Sequence, residues 1–295
     1  MRWRRDLPGQ VRDELVSLGH GATMVPTEGP ASAGRIARER IEAGSDLIVA
    51  LGGDGTLNEV LPGVVHTDVP VAIIPAGTAN VLARELGLGC HALRAARRLG
   101  ECVPARIALG RLRAAPDNQE RYFALMAGAG FDAHIVYRLN LPLKAKAGQF
   151  AYWVSSFGQV FRRLDELDIE VNGENLRGTF ALANRVRNYA GYLHVARRVS
   201  LVKPEFELVV FEGTSTLRYY LKYLAAILIH RTSNVKGLTF VRTTKAVFTA
   251  ADASAAAPHV HIEVDGEYAG RLPASIEIVP DALTLLVPPD YLTRP

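Results

Sequence analysis

A chain of 295 residues, 48% hydrophobic and 22% charged, has a globular rather than disordered composition and is long enough for two packed domains. Its two cysteines, Cys90 and Cys102, are too few for a disulfide framework or a metal cluster; they read as small buried side chains in a protein of the reducing cytoplasm. The net charge of +4 is carried by basic pairs such as Arg4-Arg5, Arg97-Arg98, Arg162-Arg163 and Arg197-Arg198, with no aromatic interleaving that would indicate a nucleic-acid module.

In chain order, Val11, Leu15 and Leu18 share one face of a first helix that Gly19 ends, and residues 22–25 read as a short strand. Ser32 is placed to cap a helix carrying Ile36, Ala37 and Ile41, closed by Gly44. Residues 46–51 form a near-continuous apolar run, the pattern of a strand buried on both faces of a parallel sheet, and 71–74 repeat it after a helix over 57–65. The expected architecture is α/β, with an N-terminal doubly wound domain.

Beyond Val103 the texture changes to short strands at 106–112, 122–127, 167–171, 179–183 and 206–211, then 239–242, 246–249, 261–264, 275–278 and 283–287. Asn172-Gly173 and Asp265-Gly266 are hairpin turn signals. Helices are expected near 149–161 and 217–229. This succession predicts a mainly antiparallel second domain. The strongest membrane candidate, 224–229, falls far short of the ~20 residues of a spanning helix, so any membrane contact is peripheral. His194 and His230 lie among apolar residues and read as satisfied or surface histidines.

Two loops carry the chemistry. Gly52-Gly53-Asp54-Gly55-Thr56-Leu57-Asn58-Glu59 follows one predicted parallel strand, and Pro75-Ala76-Gly77-Thr78-Ala79-Asn80 follows the next. Loops at the carboxyl ends of parallel strands are where such sheets bind ligands. Glycines there let backbone N–H groups approach phosphate oxygens, and a following helix adds its N-terminal partial positive charge. Asp54 is out of place in a purely anion-binding loop; a carboxylate there suits Mg²⁺ binding or proton abstraction from a hydroxyl, which points to phosphoryl transfer.

These two loops resemble the catalytic domain of the diacylglycerol kinase family, whose relatives include sphingosine and ceramide kinases and bacterial soluble lipid kinases. Thr27 with Ala33, the stretch Ala127-Gly128-Ala129-Gly130-Phe131-Asp132, Gly148-Gln149-Phe150-Ala151-Tyr152 and Asp265-Gly266-Glu267 extend the resemblance over residues 10–290. It implies an NAD-kinase-like nucleotide domain, here residues 1–104 with 283–295 returning to it, and a β-sandwich lipid domain over 105–282. It implies ATP and Mg²⁺ as cofactors, and transfer of the γ-phosphate to the hydroxyl of diacylglycerol or a sphingoid-type lipid at a membrane surface. By the same carry-over Thr27, Gly52, Gly53, Gly55, Thr56, Glu59, Gly77, Thr78, Asn80 and Asp265 contact the nucleotide, and either Asp54 or Glu267 is the base. No metal-ligand set is assigned, and the oligomeric state is left open with a homodimer as one option.

Two positions depart from the family pattern. The usual opening strand with an Asn-Pro-x-x-Gly loop has no counterpart before Arg12, which is read as a truncated or misassigned start. Many relatives also carry an Asp-Gly pair whose Asp helps organise Mg²⁺ just before a strand like 206–211; here the place holds Lys203-Pro204, with Glu205 and Glu207 nearby. The alternative reading is therefore a catalytically impaired homologue that binds lipid or nucleotide.

Overall fold

The computed structural model describes residues 6–130, 165–189, 193–196, 198–213, 235–252 and 260–294. The expected helices at 149–161 and 217–229, the 224–229 run, Phe131, Asp132, Gly148-Gln149-Phe150-Ala151-Tyr152, His230 and the pairs Arg4-Arg5 and Arg162-Arg163 lie outside the described residues, as does Arg197. The chain divides into two compact units, residues 1–108 with 280–295 and residues 109–279.

The first unit runs α1 (Leu7–Ser17), α2 (Ala33–Glu42), β1 (Ile48–Gly52), α3 (Asp54–Val64), β2 (Val71–Pro75), α4 (Val81–Glu85) and α5 (Ala92–Arg98), followed by a 3-10 turn (Leu99–Glu101). β1 and β2 pair in parallel from Ile48 with Val71 to Gly52 with Pro75. Every residue of β2 is buried, as the apolar run requires of an interior strand. Val11 and Leu15 of α1 and Ala92 and Ala96 of α5 pack in one core with Ala72 and Ile74.

Three local expectations are corrected here. Leu18 is the C-cap of α1 and is exposed, because the helix stops at Ser17 and Gly19 takes φ +92°. Residues 22–25 form no strand: Met24 and Val25 are exposed, and apolar character without a neighbouring ladder does not make one. Ser32 stands at the N-cap of α2 but bonds backward, accepting the Glu28 N–H at 3.0 Å and donating to the Gly29 carbonyl at 2.6 Å.

The second unit begins within β3 (Val103–Ala115) and continues with β4 (Glu120–Phe123), β5 (Met126–Gly130), β6 (Leu167–Val171), β7 (Glu174–Gly178), β8 (Phe180–Asn184), β9 (Asn188–Tyr189) and β10 (Leu193–His194). Then come β11 (Phe206–Phe211), β12 (Leu238–Thr243), β13 (Lys245–Ala250), β14 (His261–Val264) and the 21-residue β15 (Glu267–Val287), in which the expected strands at 275–278 and 283–287 merge. Nine strands lie in the order β12-β11-β8-β5-β14-β15-β13-β6-β7, each neighbouring pair along it antiparallel. Side chains from both ends of this order, Phe206 and Leu208 of β11 with Leu167 and Ile169 of β6, share one buried core, so the sheet curls around it. Phe123 stacks on Phe206 at 5.6 Å between ring centroids. The chain returns to the first unit within β15, where Leu285 pairs in parallel with Val71, and ends in α6 (Pro289–Leu292).

Both hairpin signals are realised residue by residue. Asn172 and Gly173 take φ +51° and +81° between β6 and β7, and Asp265 and Gly266 take φ +50° and +79° between β14 and β15. Two consecutive left-handed residues match the twist of the flanking strands. The expected single strand at 122–127 is instead broken into β4 and β5. The N–H groups of Ala124 and Leu125, which a continuous ladder would use, donate to the Asp265 carboxylate.

Candidate active site

In the first unit the two glycine loops touch through their backbones. A Cβ on Gly77 would lie 2.5 Å from the Gly53 Cα, and one on Gly53 would lie 3.1 Å from the Gly77 Cα. Neither glycine has the left-handed φ of a turn, so what demands glycine here is close approach rather than backbone freedom. The Ala76 N–H donates to the Gly52 carbonyl at 2.8 Å and ties the loops a second time. Gly77→Ala is expected to destabilise the protein by about 1–3 kcal/mol, the usual cost of overpacking. It should also remove any ATP-dependent rise in melting temperature, which thermal unfolding with and without ATP measures.

Asp54 joins the same two loops by its side chain. It stands in the first turn of α3, which begins three residues earlier than the sequence reading placed it. Its carboxylate accepts the N–H of Val81 at 3.0 Å and of Leu82 at 3.1 Å, the opening amides of α4. One carboxylate thus belongs to one loop and caps the helix that follows the other. Burial pushes the Asp54 carboxyl above its ordinary range, against the opposing pull of the Val81 and Leu82 N–H groups and the Arg84 charge.

Asn80, buried and left-handed at φ +48°, closes its own loop: its Oδ1 accepts the Gly77 N–H at 2.9 Å and its Nδ2 donates to the Gly77 carbonyl at 3.0 Å. Thr56 packs its side chain against Gly52, where a Cβ would meet Oγ1 at 2.2 Å. Gly55 and Glu59 are half-buried on α3, and Thr27 and Thr78 are exposed. Gly52, Gly53, Asp54, Thr56, Gly77 and Asn80 are therefore gathered where the two loops meet.

In the second unit Asp265 and Glu267 flank one turn and differ sharply in setting. The Asp265 carboxylate accepts three backbone N–H groups, from Ala124, Leu125 and Met126, each at 2.9 Å. The turn is tied further by the Gly266 N–H, which donates to the buried Glu263 at 2.7 Å. Glu267 is exposed at the first residue of β15, opposite Val264. Asp265→Ala is expected to cost about 3 kcal/mol or more, since three buried N–H groups lose one shared acceptor; the midpoint of urea unfolding reads this out.

The sequence reading missed Arg185. It is fully buried just after β8, and its guanidinium donates to the carbonyls of Leu201 at 2.5 Å, Lys203 at 2.5 Å and Glu205 at 2.6 Å. Nothing local in Asn184-Arg185-Val186-Arg187 marks one arginine as interior and the other as not. Among the described residues there is no group of three or more His, Cys, Asp or Glu side chains placed to hold a metal ion. Nor is any described helix long and apolar enough to cross a membrane.

Residues 2–112 match the family model described as the diacylglycerol kinase catalytic domain. The chain is 26% identical over 270 residues to a diacylglycerol kinase of Bacillus subtilis, covering 90% of this chain and 85% of the relative. It is 28% identical over 254 residues to a diacylglycerol kinase of Mycobacterium tuberculosis, covering 84% and 79%. A crystal structure of a diacylglycerol kinase from Bacillus anthracis superposes with a TM-score of 0.70 at 19% identity, over 94% of this chain and 89% of that one, which bears out the fold. The resemblance to the diacylglycerol kinase catalytic-domain family is borne out, and with it the expectation of a lipid kinase.

Proposed function

From that kinship we propose that the chain transfers the γ-phosphate of ATP to the hydroxyl of a lipid, diacylglycerol or a sphingoid-type lipid. The observation that carries the reading is the backbone contact of Gly53 with Gly77, bridged by Asp54. It brings the N-terminal end of α3 and the loop before α4 together with glycine at the point of contact, a setting that suits the phosphates of a nucleotide.

ATP arrives as its Mg²⁺ complex, and the metal is part of that substrate. In the transfer, the lipid oxygen bonds to the γ-phosphorus as the bond from that phosphorus to the β–γ bridging oxygen breaks, leaving ADP. The lipid hydroxyl proton passes to a carboxylate. Of the two candidates, Glu267 suits the base: it is exposed, and it follows a turn fixed by Asp265 and Glu263. Asp54 has both oxygens engaged with α4 and suits a positioning role. The lipid is met by peripheral contact with a membrane surface.

The test is to incubate the folded protein with labelled ATP, Mg²⁺ and vesicles containing a panel of lipid alcohols, and to identify products by mass. Labelled phosphatidic acid or a sphingoid phosphate is the expected product. No incorporation into any lipid by a folded protein that binds ATP would overturn the reading.

A further inference from the structure

The family resemblance implies an Asp that organises Mg²⁺ in the loop before β11, and this chain has Lys203-Pro204 there. A divalent cation in such a loop needs several hard oxygen ligands, at least one of them charged. The loop does turn three oxygens inward, the carbonyls of Leu201, Lys203 and Glu205, but they converge on the Arg185 guanidinium. The nearby carboxylates are also engaged: Glu205 faces Arg242 at 3.8 Å, and Glu207 accepts the Arg198 N–H at 3.4 Å. The Lys203 side chain is exposed and, as an ammonium, offers no ligand. A second, divalent cation among these carbonyls would face a fixed positive charge at close range. The residues present do not fit a resident Mg²⁺.

We propose that Arg185 is a built-in cation that takes the place of a divalent metal ion in shaping the 201–205 loop. A buried guanidinium is costly unless it is hydrogen-bonded, and three convergent carbonyls accept from its two terminal nitrogens at short distances. The same residue reaches the turn that carries Glu267. The Arg185 N–H donates to the Leu125 carbonyl at 2.8 Å, and the N–H of that same peptide unit, on Met126, donates to Asp265 at 2.9 Å. Arg185 thereby links the 201–205 loop to the Asp265 turn through one peptide bonded at both ends. Arg185 is a positioning residue, and the inference stands independently of which lipid, or whether any, is phosphorylated.

Amide hydrogen exchange on the full chain without nucleotide tests this, in EDTA and in millimolar Mg²⁺. Amides of residues 201–207 are expected to exchange equally in both; slowing by Mg²⁺ and acceleration by EDTA in this segment would overturn the proposal. In Arg185→Met the same amides are expected to exchange about tenfold faster or more, because the loop opens locally. A folded Arg185→Met variant exchanging like the parent would also overturn it. If that variant does not fold, the comparison of EDTA with Mg²⁺ on the parent protein still decides.

Discussion

Replacing Glu267 with Gln is expected to lower kcat for lipid phosphorylation by ~10²–10⁴, the usual contribution of a general base. The affinity for ATP and the melting temperature are expected to stay where they are. Glu267 is exposed at the start of β15, and exposed substitutions away from special features change stability by only about ±0.5 kcal/mol. The turn before it is held by Asp265 and Glu263, which the substitution leaves intact. Steady-state kinetics with ATP and vesicle-borne lipid, together with thermal unfolding, separate the two effects. Unchanged kcat in Glu267→Gln would remove this residue from the base role.

Asp54→Asn is expected to behave differently. The substitution keeps the shape but turns one acceptor oxygen into an NH₂ group facing a backbone N–H of α4. Losing the buried charge relieves some of the burial cost that raises this carboxyl, which partly offsets the lost bond. The net expectation is a destabilisation of about 1 kcal/mol. The junction of the two loops then loosens, and kcat/KM falls by ~10², the scale of a displacement of about 1 Å. ATP affinity weakens with it, because Gly77 and Asn80 are displaced together. A base alone would lose kcat with melting temperature and ATP affinity unchanged. Measuring all three on Asp54→Asn and Glu267→Gln therefore distinguishes a positioning carboxylate from a proton-accepting one.

The legible parts of the molecule were those written locally. The apolar run ending in β2 announced an interior parallel strand, and Asn172-Gly173 and Asp265-Gly266 announced hairpins that appear with both residues left-handed. Gly53 and Gly77 were legible as places for close approach, although the sequence pointed to a ligand and the first neighbour of each proves to be the other. What was not legible depends on partners distant in sequence. Asp54 is defined by the amides of Val81 and Leu82, and the break between β4 and β5 by Asp265, well over a hundred residues downstream. Residues 22–25 have strand-like composition, but composition carries no information about whether a neighbouring ladder exists. Arg185 is the extreme case, a buried cation held by the main-chain carbonyls of Leu201, Lys203 and Glu205, which leave no trace in residue identity.

The return of β15 to the first unit has a consequence for biosynthesis. Val71 and Leu285 are fully buried and pair in one sheet, yet the whole second unit is translated between them. At about 5–20 residues per second, a ribosome takes on the order of ten seconds or more to cover that interval. Through that time the glycine-loop unit waits without its last strand, and the edge of β2 that pairs with β15 stays open to chaperones or to misassociation. The second unit can close first, so the order of completion in the cell is the reverse of the order in the gene.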